Sequence, residues 1–288
     1  MTARVLAWVL EQLQHNSPVV LASVVGTKGS VPGKAGARLA MNRHQEWVGT
    51  VGGAGLEHRI LNRCKELIQA SKATSEVHNF GLNKGAKGYE VQPLDSLCGG
   101  QVTISLELML PMPHILLMGG GHCSEALSKL LPKKGWNFSV QDTREAFTTS
   151  ELYPEAVERS HSTVEAFFSG ETAESLTRFS DILLLGHDYS EDLDRLQRLL
   201  QLVESANVSP NGTAFPRIGA IGSRSKWKSF TESCIDAGIQ SSTLDEIRCP
   251  IGLNIGAESP EEIAIAVIAE ILSMHKNADV HAPNWRDQ

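Results

Sequence analysis

At 288 residues the chain is longer than one average domain, and two compact units are expected. Its 41% apolar and 20% charged residues suit a protein with buried cores, and no run approaches the roughly 20 apolar residues a membrane helix needs. The net charge of -7 divides into +3 over residues 1–110 (11 Lys+Arg, 8 Asp+Glu) and -10 over residues 111–288 (15 and 25), without the basic stripe of a nucleic-acid binder, so neither nucleic acid nor membrane is expected as a partner.

The amino-terminal stretch to Asn16 reads as an amphipathic helix rather than a signal peptide, because Glu11 and Gln12 interrupt its apolar run. Val19 to Val25 is a β-branched strand, followed by a glycine-rich loop from Gly26 to Gly36. No acidic residue falls between Glu11 and Glu46, where Lys28, Lys34, Arg38 and Arg43 occur, so this segment is a candidate surface for a small anion. Strands are expected at Arg38–Met41 and Trp47–Val51, then a helix over 56–70 and a strand over 102–110. Pro111-Met112-Pro113 marks the boundary between a smaller α/β domain (1–110) and a second domain (111–288).

The second half alternates strands and helices. Strands are expected at His114–Met118, Asn137–Val140 ending at Asp142, Asp181–Leu185 and Arg217–Ile221. Helices are expected over 124–134, over a stretch whose apolar face is Leu193, Leu196, Leu199, Leu200 and Val203, and from Arg224 through Ala237. Ser259, Pro260 and Glu262 open a final helix with a capping box. This alternation predicts a Rossmann-like, doubly wound parallel sheet.

Gly119-x-Gly121-x-x-Ser124 lies between a strand and a helix, where glycines let backbone N–H groups approach a phosphate. Asp142, 21 residues past Gly121, stands where an acid holds a ribose hydroxyl. A nucleotide or NAD(P) is therefore one candidate ligand of this half; a glycine turn without a ligand is the other reading. Ser124 in place of a third glycine is expected to loosen helix–strand packing. Gly119–His122, Asp142–Arg144, Gly186–Tyr189 and Gly222–Arg224 all follow strands and should surround one cleft, bringing His122 near His187 and offering Ser223 and Arg224 to a phosphate.

The five cysteines (Cys64, Cys98, Cys123, Cys234, Cys249) show no C-x-x-C spacing. That pattern predicts reduced thiols in a cytoplasmic protein and no metal site. Cys98 precedes Gly99-Gly100, which leaves its thiol either approachable or simply buried.

Several blocks together are similar to the xanthine dehydrogenase accessory family (XdhC/CoxI type). They are Ser23–Arg38, Gly49–Glu57, Cys98–Gly100, Gly119–His122, Asp142–Arg144, His187–Tyr189, Ile218–Arg224, Cys249–Ala257 and Pro260–Ala264. Ala54 and Cys123 depart from the family pattern. The resemblance implies a chaperone that binds the molybdopterin form of the molybdenum cofactor as cargo and protects it during sulfur installation. It would then deliver the cofactor to a xanthine dehydrogenase-type molybdenum hydroxylase. The resemblance also implies contact with a cysteine desulfurase and a homodimer. The residues implied to touch cargo are Cys98, Gly119, Gly121, His122, Asp142, Arg144, His187, Ser223, Arg224, Lys28, Lys34 and Arg38. The alternative is an enzyme using the Rossmann half, either an NAD(P)-dependent oxidoreductase or a pterin nucleotidyltransferase. Neither a catalytic set nor a P-loop is evident in the sequence for that alternative.

Overall fold

A computed structural model describes residues 2–70, 74–82, 91–93, 99–212 and 214–282. The chain divides into two units, Met1–Met112 and Pro113–Gln288.

The first unit contains α1 (Thr2–Gln14), β1 (Val19–Lys28), β2 (Arg38–Asn42), β3 (Trp47–Gly49), α2 (Ala54–Ala70), β4 (Ser75–Gly81), β5 (Val91–Pro93) and β6 (Gln101–Met109). The six strands form one sheet in the order β3-β2-β1-β6-β4-β5, antiparallel except for the β4–β5 pair. Alternation along β1 explains the layering. Val19 and Leu21 join Val5 and Val9 of α1 in one apolar cluster, whereas Val20, Ala22 and Val24 join Ile60, Cys64 and Leu67 of α2 in another.

Two differences from the sequence expectation have physical causes. β1 runs on through Gly26, Thr27 and Lys28, because an irregularity between Val24 and Gly26 restores register with Thr103, Val102 and Gln101 of β6. β4 is not expected from the sequence, since SEVHNFG carries polar residues on both faces and buries few apolar ones. Its ladder partners on β6, Ser75↔Glu107 through Gly81↔Gln101, hold it instead.

The second unit contains β7 (His114–Met118), α3 (His122–Leu130), β8 (Asn137–Asp142), β9 (Arg159–His161), α4 (Val164–Ser169), α5 (Ala173–Leu176) and β10 (Asp181–Leu184). After these come α6 (Tyr189–Ala206), β11 (Arg217–Ala220), α7 (Arg224–Asp236), α8 (Ser241–Leu244) and α9 (Pro260–His275). Its strands are all parallel in the order β11-β10-β7-β8-β9, the doubly wound α/β architecture. β7 is buried along its whole length, as a sheet covered on both faces requires. Leu116 and Met118 face the side of α6 and α7, and Ile115 and Leu117 the side of α3 and α9. α3 starts two residues before the expected Ser124 and stops at Leu130, since Pro132 cannot extend it and opens a short 3-10 turn instead. α9 has the expected capping box between Ser259 and Glu262, with Pro260 at its first position.

At the amino end of β7, His114 is buried, its Nε2 2.9 Å from Ser139 Oγ and its ring edge-on to Phe179. Burial pushes its pKa down from 6.5 to about 4. Between those values the folded chain holds fewer protons than the unfolded one, so stability is complete above pH 6.5 and falls as pH drops toward 4. His114→Gln should flatten that slope in thermal melts recorded across the same range. An unchanged slope would assign the acid sensitivity to other groups.

Candidate functional site

The β7–β10 neighbours are the topological switch point of the second unit, because the chain runs outward through β8 and β9, then returns to β10 and continues to β11. At their carboxyl ends Gly119, with φ +107°, meets Gly186 so closely that a Cβ on Gly119 would lie 2.6 Å from the Gly186 nitrogen. A Cβ on Gly120 would enter the Phe147 carbonyl oxygen, whereas one on Gly121 would meet open space. The first two glycines are thus needed for close backbone packing, and the third is the one that faces outward.

Gly121 is the N-cap of α3 and supplies no side-chain cap, so the first N–H groups of this helix are left for water or a ligand. Ser124 is fully buried and its hydroxyl donates to the Gly119 carbonyl oxygen. The loosening expected at this position is therefore replaced by a tie between helix and loop.

Asp142 is buried, and its four acceptor positions are filled from within. Oδ2 accepts the Gly120 N–H at 2.7 Å and Arg144 Nη2 at 2.8 Å; Oδ1 accepts the Arg144 N–H at 2.8 Å and Nε at 2.9 Å. Burial raises its pKa, but the hydrogen bonds from Arg144 and Gly120 outweigh that and hold the carboxyl below its ordinary range. The acid expected to grip a ribose hydroxyl instead fastens the glycine loop to the end of β8. Arg144, with its charge on Asp142, lies over the Phe147 ring at 3.8 Å.

A second buried carboxylate, missed in the sequence, ties the remaining loops. Asp192 on α6 accepts the Gly186 N–H at 3.2 Å, Arg195 Nη1 at 3.1 Å and, from α7, Lys226 Nζ at 2.9 Å. Arg195 is itself fully buried; its Nη2 lies 3.4 Å from Glu191, whose other oxygen accepts Thr143 Oγ1 at 2.8 Å. Loops from β8, β10 and β11 are thereby joined in one network. A helix-face count would have shown Asp192 and Arg195 beside Leu196 and Leu199 on the apolar stripe.

His122, His187, Ser223 and Arg224 are exposed or partly exposed around these strand ends, and Arg224 forms no ion pair among the described residues. Ser223 caps α7 by accepting the Lys226 N–H. Cys123, in the first turn of α3, has its pKa raised by burial and by Glu261. Among the described residues no group of three or more His, Cys, Asp or Glu side chains is arranged to hold a metal.

In the first unit the glycine blocks also converge. A Cβ on Gly33 would enter the Val51 carbonyl, one on Gly100 would enter the Ser30 carbonyl and lie 2.7 Å from that of Lys28, and one on Gly52 would lie 2.9 Å from the Gly33 nitrogen. Lys28 and Lys34 are exposed on this loop cluster. Arg38 pairs with Ser23, roughly 16 Å along β1 from Lys28 at the usual strand rise, and its buried Nε has no hydrogen-bond partner among the described residues. Arg43 reaches the Asn16 carbonyl, so the basic segment is spread out rather than gathered. Cys98 lies outside the described residues.

The model of the XdhC and CoxI family matches residues 12–81, and that of the XdhC Rossmann domain matches residues 115–271. The chain is 27% identical over 265 residues to the protein YqeB of Escherichia coli (strain K12), covering 92% of this chain and 45% of that protein. A Bacillus subtilis (strain 168) protein named as a probable xanthine dehydrogenase subunit is 29% identical over 171 residues, covering 59% of this chain and 45% of its own. The chain thus spans about half the length of the curated relatives it matches. A Bacillus halodurans crystal structure titled a xanthine dehydrogenase aligns over 96% of this chain and 98% of its own, at 16% identity and a TM-score of 0.47.

The glycine contacts give a direct comparison. Gly120→Ala should destabilise the second unit by about 1–3 kcal/mol, the usual effect of overpacking. Gly121→Ala should leave the denaturation midpoint within about 0.5 kcal/mol of the parent, since its methyl group meets nothing. Equal losses in chemical denaturation would mean that Gly121 is structural too.

Proposed function

The chain belongs to the XdhC and CoxI family, and from that premise we propose that it is an accessory factor that binds molybdenum cofactor as cargo and delivers it to a xanthine dehydrogenase-type molybdenum hydroxylase. The observation that carries this reading is the pair of family matches, which lie in order on both units. The name of the Bacillus subtilis relative supports a partner of the xanthine dehydrogenase type.

The residues suit a carrier. The uncapped start of α3 offers backbone N–H groups to a phosphate, and Gly121 leaves the space for one. His122, His187 and Arg224 are exposed at the same strand ends, and Ser223 caps α7 there. A pterin phosphate needs no ribose acceptor, which agrees with an Asp142 carboxylate occupied by internal donors. For the same reason NAD(P) fits poorly here, and no hydride-transfer step is assigned to the chain. Taken by itself, the first unit carries separate candidate cargo contacts in Cys98, Lys28, Lys34 and Arg38. A cysteine desulfurase, a second copy of the chain and a cytoplasmic setting complete the proposal.

The test is anaerobic co-purification with cargo, read by fluorescence of the oxidised pterin. Cargo should be retained and excess NAD(H) should not displace it. Gly121→Val should abolish retention by filling the phosphate space, and Arg224→Ala should weaken it by about 1.5–3 kcal/mol, one charge-assisted hydrogen bond. Cys98→Ser should reduce retention with an unchanged melting temperature. NAD(H) binding as tightly as cargo, with hydride transfer to a substrate, would overturn the reading.

A further inference from the structure

The first unit holds a cavity that the cargo reading does not use. β4 turns Glu76, His78 and Phe80 toward α2, and the register Phe80↔Gln92 puts Gln92 of β5 on the same face. α2 presents Arg59, Asn62, Arg63 and Glu66 across from them. About 350 Å³ lies between, with Ile60, Phe80 and Leu106 as an apolar floor. That volume is in the range of small-molecule sites and holds one or two rings.

The polar wall is organised. Arg63 clamps Glu76, through Nε at 2.9 Å and Nη2 at 2.5 Å, and also meets Glu66 at 2.5 Å. Those hydrogen bonds from Arg63 hold the Glu76 pKa down to about 2, so the carboxylate stays charged. His78 Nε2 lies 2.9 Å from Glu76 and donates to it, and Nδ1 lies 3.4 Å from Gln92 Nε2. The His78 ring is stacked with Phe80, centroids 6.1 Å apart at a 26° interplanar angle, which sets the imidazole beside the apolar floor.

Charge then selects the ligand. Arg63 and the two carboxylates satisfy one another, while Arg59 lines the cavity, is exposed and has no ion pair among the described residues. A positively charged ligand would find both carboxylates engaged; a negatively charged one would find an uncommitted guanidinium lining the same cavity as the His78 and Phe80 rings. We propose that the cavity between α2 and the β4–β5 edge binds a small planar acid, an aromatic or heteroaromatic ring carrying one carboxylate or phosphate, with its acid group on Arg59 and its ring beside His78 and Phe80. The cavity lies within the first unit and the proposal does not depend on the cargo reading.

The experiment follows the imidazole resonances of His78 by NMR in the full chain, assigned by their loss in His78→Gln. Benzoate and phenyl phosphate serve as acid probes and benzamide as the uncharged isostere. At least one acid should give a saturable shift with a Kd of about 1 mM or better, and benzamide should bind about tenfold more weakly or worse, the loss of a charge-assisted hydrogen bond. The two acids distinguish a carboxylate from a phosphate site. Arg59→Gln, at an exposed position where folding is safe, should bring acid and amide to equal affinity. Equal binding of benzamide and the acids by the parent chain, an undiminished acid preference in Arg59→Gln, or no saturable shift with any acid would each overturn the proposal.

Discussion

The buried carboxylate of Asp192 is the contact on which the strand-end surface depends. An ionised side chain with no solvent access is tolerated only with charge partners and hydrogen bonds, and Asp192 takes a backbone N–H from the β10 loop, a guanidinium from its own helix and an ammonium from α7. Removing any one donor leaves the others with a charge they cannot fully neutralise, so three elements are locked to one atom group. Asp142 does the same for β7 and β8 through Gly120 and Arg144. Between these two carboxylates, Gly119 and Gly186 touch without side chains, and the loops of four neighbouring strands form a continuous tied layer.

Such a layer has little freedom to rearrange, and it uses most of its own polar groups internally. What it leaves outward is the uncapped start of α3, the open side of Gly121, and exposed His122, His187 and Arg224. Rigid ties beneath and free donors above make a preorganised surface for an anion. The first unit reaches a similar end with backbone alone, where Gly33, Gly52 and Gly100 bring three loops into contact distances no side chain would allow.

Much of this architecture was legible because it rests on local rules. The apolar runs of β7 and β10, the Ser259–Pro260–Glu262 cap and the glycines at strand ends each point to one conformation whatever surrounds them. β4 and β5 were not legible, because polar strands of this kind owe their existence to ladder partners far away in sequence. A helix-face count finds Asp192 and Arg195 on the apolar stripe of α6, but the closure of Gly186 and Lys226 on Asp192 was not legible for the same reason, since those partners come from other elements.

The sequence alone therefore determined the order of strands and helices, the doubly wound second half, the family resemblance and which loops meet at the strand ends. Only the tertiary structure decided what those loops do to one another. A sequence names a carboxylate but not its hydrogen-bond partners, and four donors converging on Asp142 turned an expected ribose acceptor into a fastening for the glycine loop. The role of a buried polar group is fixed by which donors fold against it, and that is a property of the packed chain.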